Sequence, residues 1–271
     1  MACIYKYLNF TILKNNIISN VFCVIWALYY PMKIKLIKSP NYSLRNYNKK
    51  NIKFIVLHYT GMQSERVSIE RLTSKNSKVS SHYLINREGK IIKMVDEKNI
   101  AWHAGKSKWK NFINLNDQSI GIELVNKGHQ FGYENFPKKQ ISKLVLLCKI
   151  LIKKYKIKKT NILSHSDIAP LRKMDPGEKF PWKNLSKKKI GYWYNINKLK
   201  NHNFNKSNSR KLFFTNLYKI GYRYFGIKKQ SRHDFKVVKA FQRRFRQSKV
   251  NGLIDQECLQ ISHYLAKFLK N

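Results

Sequence analysis

The alternation of apolar and polar positions predicts a sheet in the first half of the chain. Residues 51–57 form a short apolar run rich in β-branched side chains, which is typical of a buried strand. Residues 82–86 and 90–95 flank a glycine turn and predict a hairpin. Residues 119–125 alternate between two faces, as expected of a further strand.

Two polar side chains stand in these apolar strands and need an explanation. His58 follows the first run, at the carboxyl end of a predicted buried strand, where open sheets present functional groups. Glu123 lies inside the alternating strand. Burying a carboxylate without a partner is costly, so we expect Glu123 to have a partner or to face a cleft.

Helical periodicity replaces this alternation further along the chain. Apolar residues at helical spacing over 141–155 predict a four-turn amphipathic helix, with Pro137 near its start. Strands and helix together predict an α/β or α+β domain over residues 32–192. Residues 195–210 are polar and Asn-rich, and we interpret residues 193–210 as a linker. Three apolar stripes over residues 211–271 then predict a small three-helix domain.

Residues 1–31 form a separate hydrophobic segment with three interpretations. The apolar run at 17–30 is short for a membrane span and suits a signal-peptide core, but no small-x-small cleavage site follows it. The segment is an uncleaved anchor that associates with the membrane through residues 4–30, a divergent signal peptide, or a non-native start preceding Met32. The first two place the protein in the cell envelope, in the periplasm, and the third in the cytoplasm.

The net charge of +41 comes from 55 basic and 14 acidic residues. Such an excess suggests a polyanion partner. However, lysine dominates the basic residues and recurs throughout the predicted helices and strands, which indicates compositional bias. We therefore expect no nucleic-acid partner, although the charge should favour anionic envelope polymers. The four cysteines form no Cys-x-x-Cys pair, so neither a disulfide framework nor a cysteine zinc site is predicted.

The candidate chemistry is concentrated in residues 165–182, which three prolines interrupt. Prolines so close together exclude a continuous helix, so we predict an irregular loop. The loop carries His165, Lys173 and Asp175. Two histidines and one carboxylate would leave the fourth zinc position open, as in catalytic sites. The candidate ligands along the chain, with Asp167 nearby, are His58, His82, His103, His129, His165 and Asp175.

Five ordered motifs resemble the zinc-dependent N-acetylmuramoyl-L-alanine amidases of the AmpD/AmiD type, the type 2 amidases. The motifs are IVLHYTG at 55–61, VSSHYLI at 79–85, AWHAG at 101–105, SIGIELVN at 119–126 and HSDIAPLRKMDPGEKFPW at 165–182. The last motif is specific by itself, and the shared order argues against chance. The resemblance implies a mixed central sheet flanked by helices.

The same resemblance implies the chemistry of individual residues. It places one zinc ion per chain on His58, His165 and Asp175, with Glu123 as the general base and Lys173 as the oxyanion stabiliser. The implied reaction is hydrolysis of the amide between N-acetylmuramic acid and L-alanine, in peptidoglycan or its fragments. His82 and His103 match family positions outside the zinc shell, where cleft-lining and structural roles both remain open.

The C-terminal unit resembles the peptidoglycan-binding three-helix module, most closely at residues 237–246. Its usual Asp-Gly is Asn251-Gly252 here, and the glycine-rich turn is replaced by residues 255–257, so the fold is better supported than glycan binding. An amidase followed by this module resembles AmiD, an envelope enzyme, rather than the single-domain cytoplasmic AmpD.

Three other hypotheses remain. A non-catalytic peptidoglycan-recognition protein on the same fold would have lost zinc ligands, but every ligand position is filled here. A nucleic-acid-binding protein is suggested by charge alone. A zinc amidase could also act on another amide.

Overall fold

The computed structural model describes residues 33–46, 52–199 and 204–269. The predictions for residues 1–31, including the anchor, the signal peptide and the start at Met32, lie outside the described residues. The described chain from Ile34 onward forms one unit. Within the described part, no helix is both long enough and apolar enough to cross a bilayer.

A mixed six-stranded sheet forms the centre of the fold, in the strand order β1-β5-β4-β9-β3-β10. The hairpin strands β4 and β5 pair antiparallel, whereas β4, β9, β3 and β10 run parallel. Two small two-stranded sheets, β2-β6 and β7-β8, lie beside it. The strands are β1 Ile34–Leu36, β2 Tyr42–Leu44, β3 Phe54–Tyr59, β4 Tyr83–Ile85, β5 Ile91–Lys93, β6 Asn99–Ala101, β7 Lys108–Trp109, β8 Phe112–Ile113, β9 Ser119–Leu124 and β10 Ile162–Ser164.

Seven α-helices are present in the described ranges. The longest, α2, begins directly after Pro137 and ends where Lys156 adopts a left-handed conformation. The helix contacts β4, and its buried face includes Leu144, Cys148 and Leu151. The helices are α1 Glu65–Thr73, α2 Lys138–Tyr155, α3 His165–Ile168, α4 Trp182–Lys187, α5 Ser209–Ile220, α6 Asp234–Phe245 and α7 Gln256–Phe268.

The predicted fold class is confirmed, with a mixed sheet, flanking helices and a C-terminal helical region. The prediction of an irregular loop at 165–182 is wrong at its start, because residues 165–168 form the one-turn helix α3. Ser164 and Asp167 form a capping box that starts this turn, and the downstream prolines prevent its extension. Helix α1 was not predicted.

The C-terminal helices share a hydrophobic core with the sheet region. One buried cluster includes Val56 and Leu163 from the sheet together with Leu217 and Phe241 from α5 and α6. Gly221 ends α5, and a Cβ there would lie 2.5 Å from the Trp109 ring, so glycine permits this close packing. The boundaries predicted at 32–192, 193–210 and 211–271 stay a prediction, but the two regions bury a common surface.

Candidate metal centre

Two neighbouring strands bring His58 and Glu123 side by side. The parallel pairing of β3 with β9 places these residues directly opposite each other, near the carboxyl ends of both strands. The rest of β3 is buried between β9 and β10, which explains its continuous apolar sequence. Parallel strands present their carboxyl ends at one edge of a sheet, and ligands commonly bind there.

The next strand along the sheet supplies the third side chain. Strand β10 ends at Ser164, and His165 is the first residue of α3. The chain then turns back through the proline-containing loop, where the Ser166 amide donates a hydrogen bond to the Asp175 carbonyl oxygen at 3.0 Å. This bond holds Asp175 beside His165, although ten residues separate them in sequence.

His58, His165 and Asp175 converge on one point, and all three are buried. The Nδ1 atoms of His58 and His165 are 2.9 Å apart, and Asp175 Oδ2 lies 3.0 and 3.1 Å from them. Zinc bonds of about 2.1 Å at tetrahedral angles would separate ligand atoms by about 3.4 Å. The cluster therefore has the size and the donor atoms of a metal site.

The tautomer of His58 follows from a chain of hydrogen bonds behind it. Ser119 Oγ donates its proton to the Leu115 carbonyl at 2.5 Å, so it can only accept from His103 Nε2 at 3.2 Å. His103 Nδ1 is then an acceptor, and it receives the Nε2 proton of His58 at 3.1 Å. His58 Nδ1 is left with a free lone pair directed at Asp175.

His165 reaches the same state through a different partner. Its Nε2 lies 3.1 Å from the Ala104 carbonyl oxygen, nearer than the 3.4 Å to Arg172 Nη2, and this carbonyl can accept an Nε2 proton and leave Nδ1 with a lone pair. Burial lowers the pKa of His58 to about 4, so that ring is neutral at pH 7. Two lone pairs and a carboxylate oxygen thus face one another, an arrangement that a bound cation would stabilise. The residues present fit a divalent metal such as zinc.

Glu123 lines the cleft beside this cluster with an unused oxygen. Its Oε2 atom is inaccessible to solvent and has no hydrogen-bond partner among the described residues. Burial raises the pKa of its carboxyl well above the usual range, the charge of Asp175 raises it further, and Lys173 opposes both. A carboxyl group with a raised pKa is suited to accept and release a proton near neutral pH.

The cleft has a volume of about 350 Å³ and is rimmed by cations. Lys173 lines it from the proline-containing loop, as do two residues that the sequence interpretation missed, Arg71 of α1 and Arg172. Arg172 Nη2 also donates to the Lys106 carbonyl at 2.9 Å, which fastens the loop to the neighbouring segment. The signal for α1 was present in Ser64, whose side chain caps the helix.

The remaining candidates lie outside the cluster. Both ring nitrogens of His82 bond to backbone groups, the Gly121 amide at 3.0 Å and the Asn99 carbonyl at 3.2 Å. His129 lies at the cleft rim, between the Tyr59 hydroxyl at 2.9 Å and the Glu178 carboxylate at 3.1 Å. Asp167 points away from the cleft and pairs with Arg244.

Comparison with known proteins assigns a family to this fold and site. The family model described as N-acetylmuramoyl-L-alanine amidase matches residues 48–178. The chain is 37% identical over 229 residues to the N-acetylmuramoyl-L-alanine amidase AmiD of Escherichia coli, covering 79% of this chain and 82% of that protein. The chain therefore belongs to the N-acetylmuramoyl-L-alanine amidase family, a family of amide hydrolases.

Individual solved structures are similar to most of the chain. AmiD from E. coli, in complex with the substrate anhydro-N-acetylmuramic acid-L-Ala-D-gamma-Glu-L-Lys, matches with a TM-score of 0.71 and 35% identity, over 80% of this chain and 89% of that chain. AmpDh3 from Pseudomonas aeruginosa matches with a TM-score of 0.74 and 30% identity, over 87% of this chain and 99% of that chain. Both matches extend well beyond residues 48–178.

Proposed function

We propose that this protein is a zinc-dependent N-acetylmuramoyl-L-alanine amidase. It cleaves the amide between N-acetylmuramic acid and L-alanine in peptidoglycan or in muropeptide fragments. The observation that carries the proposal is the convergence of the three ligand atoms of His58, His165 and Asp175 beside Glu123 Oε2, which has no hydrogen-bond partner in the described part of the chain. The relatives AmiD and AmpDh3 support the substrate class, since they were solved with anhydromuramyl peptides.

His58, His165 and Asp175 would hold one zinc ion per chain. Zinc in a site with three protein ligands supplies Lewis-acid polarisation and lowers the pKa of water toward about 7. The hydrogen bonds of His103 and Ala104 keep both Nδ1 atoms unprotonated for this role. Such outer partners orient metal ligands and raise their basicity.

Glu123 moves the proton during hydrolysis. It removes a proton from the attacking water as the new C–O bond forms at the amide carbonyl. It then delivers that proton to the amide nitrogen as the C–N bond breaks, so the leaving amine departs neutral and Glu123 returns to its starting state. Lys173 faces the negative charge that develops on the carbonyl oxygen. An unactivated amide needs this acid assistance because its nitrogen is a poor leaving group.

The electrostatics of the cleft suit an acidic peptide substrate. Arg71, Arg172 and Lys173 line it, and the carboxylates of a peptide stem would be attracted to them. A peptidoglycan substrate supports a location in the cell envelope, and membrane association through residues 4–30 stays a prediction. With a start at Met32 the protein would instead act on recycled fragments in the cytoplasm.

The decisive experiment incubates the full chain with zinc and isolated peptidoglycan and measures released stem peptides by mass spectrometry. Wild type should release them and contain one zinc per chain, whereas Asp175→Ala should lose both properties. Asp96→Ala removes a carboxylate outside the cleft and should keep both. Release that persists in Asp175→Ala and after chelation would contradict the zinc mechanism. Wild type that binds zinc and peptidoglycan without release would instead be a recognition protein.

A further inference from the structure

A buried ion pair joins the C-terminal helices to the loop that carries two of the three proposed metal ligands. Asp167 lies in α3, two residues after His165, and its Oδ2 accepts a hydrogen bond from Arg244 Nη1 of α6. The two side chains are 0% and 1% exposed. A buried pair of this kind is costly to break, because the remaining charge is left unpaired.

Asp167 has a full set of partners, and each one constrains the start of α3. Its Oδ2 also accepts the Ser164 amide proton at 2.9 Å, while its own amide donates to Ser164 Oγ at 2.9 Å. Its Oδ1 accepts the hydroxyl proton of Tyr222 at 2.5 Å. The carboxylate therefore fixes the residue just before His165, and the C-terminal region holds the carboxylate.

Arg244 also contacts the strand that precedes His165 in the chain. Its Nη2 atom donates to the Ile162 carbonyl of β10 at 2.9 Å. Its guanidinium carbon lies 4.2 Å from the ring centre of Trp182 and 4.8 Å from that of Tyr192, within the range of cation–π contacts. One side chain thus ties the strand that precedes His165 to the helix that contains it.

We propose that Arg244 is a positioning residue for the metal centre and that the C-terminal helices complete that centre. A helix of four residues is not stable alone, since helix nucleation is unfavourable. The Asp167–Arg244–Tyr222 cluster supplies the tertiary contacts that hold α3, and with it His165 Nδ1, against His58 and Asp175. This inference rests on the proposed function, because it assigns the C-terminal region a role in metal binding.

The test compares Arg244→Met with Arg246→Met in the full-length protein. Arg246 is the control, since its side chain is as buried as that of Arg244 and is also ion-paired, but its partners Asp255 and Glu257 are more exposed than Asp167 and belong to the C-terminal region. Zinc affinity is measured by competition with a chelator. Arg244→Met should bind zinc about tenfold more weakly, the lower end of the effect of outer-shell changes. Arg246→Met should lose stability but keep wild-type affinity.

Two milder variants keep the test decisive if Arg244→Met does not fold. Tyr222→Phe removes only the hydroxyl that binds Asp167, and Arg244→Lys keeps the charge but loses the two-pronged contact. Both should weaken zinc binding less than Arg244→Met. Equal zinc affinity in Arg246→Met, Arg244→Lys, Tyr222→Phe and wild type would overturn the proposal.

Hydrogen exchange separates this inference from the proposed function. In metal-free protein, the amides of residues 164–168 should exchange faster in Arg244→Lys and Tyr222→Phe than in wild type or Arg246→Met. Unchanged exchange in both variants would refute the positioning role, whether or not the protein binds zinc. Faster exchange in a protein that binds no zinc would refute the proposed function and leave the structural coupling intact.

Discussion

Two largely buried glutamates, Glu97 and Glu123, occupy opposite environments in this molecule. Glu97 accepts hydrogen bonds from the hydroxyls of Tyr83 and Tyr155 and from Lys154 Nζ. Glu123 lies at the cleft with one oxygen that has no partner in the described part of the chain. The first is a saturated structural carboxylate, whereas the second keeps an unused lone pair beside three candidate metal ligands.

The pKa values of the two carboxyls move in opposite directions for this reason. Burial alone would raise the pKa of Glu97, but the hydrogen bonds from Lys154, Tyr155 and Tyr83 outweigh it and hold that pKa below its usual value. Burial raises the pKa of Glu123 with no hydrogen bond to oppose it. The two glutamates therefore differ because of the hydrogen-bond donors around each carboxyl group, and burial by itself does not distinguish them.

The largest predicted effect comes from replacing Glu123, whose Oε2 has no hydrogen-bond partner within the described ranges. Glu123→Gln should lower the rate of stem-peptide release by about 10²- to 10⁴-fold, the usual contribution of general acid–base catalysis. Zinc content should be unchanged, and the melting temperature should be unchanged or higher, because a neutral amide replaces a carboxyl group whose charged form burial disfavours. Turnover at the wild-type rate would remove Glu123 from its proposed role.

The hydrogen bonds behind His58 offer a second test. His103 accepts the Nε2 proton of His58, and this bond leaves His58 Nδ1 with a free lone pair. His103→Phe removes the acceptor of the His58 Nε2 proton and should weaken zinc binding by about 10- to 100-fold. The His103 ring packs closely on Gly121 of β9, where a Cβ would lie 2.4 Å from the ring, so the substitution keeps an aromatic ring at this position. Chelator competition measures the change.

His82→Phe is the matched control for this experiment. His82 is also buried, and burial lowers its pKa to about 3, but its nitrogens bond to backbone groups. Its replacement should lower the melting temperature, because the Gly121 amide loses its acceptor, and should leave zinc affinity near that of wild type. Equal losses of affinity in both variants would mean that His103 acts only through packing.

The sequence predicted the local part of this arrangement well. Periodicity located β3, β9 and α2, and the polar residues that interrupt the strand pattern, His58 and Glu123, are the ones that face the cleft. Helix α1 was missed because its buried face contains only Ser68 and Leu72, so its apolar stripe is weak. Apolar periodicity identifies single helices and strands, and a helix whose apolar stripe is weak is missed.

Periodicity could not predict which residues far apart in the sequence come together in the fold. His58 and Asp175 are 117 residues apart, and their contact depends on the order of strands in the sheet. Motif resemblance supplied that grouping in advance. The pairing of Asp167 with Arg244 spans 77 residues and joins two regions that composition separates into domains, so neither pattern nor motif indicated it.

A smaller effect is expected at the saturated carboxylate. Glu97→Gln should lower the free energy of unfolding by about 2 kcal/mol, because hydrogen bonds to a charged group are replaced by neutral ones. The rate of stem-peptide release should stay within about twofold of wild type, since Glu97 lies outside the cleft lining. Urea denaturation and the release assay measure the two quantities. A large loss of activity without loss of stability would mean that Glu97 has a catalytic role rather than a structural one.

The smallest effect is a change in the shape of the acid-unfolding curve. The folded-state pKa of Glu97 is lowered, so its contribution to stability is present above its unfolded-state pKa of about 4.3 and is lost as pH falls through the folded-state value. The stability difference between wild type and Glu97→Gln should therefore be constant from pH 7 to about pH 5 and shrink below that. Urea midpoints of both proteins across this range measure it. A difference that persists undiminished at pH 3 would mean that the Glu97 contacts stabilise the fold through shape rather than charge.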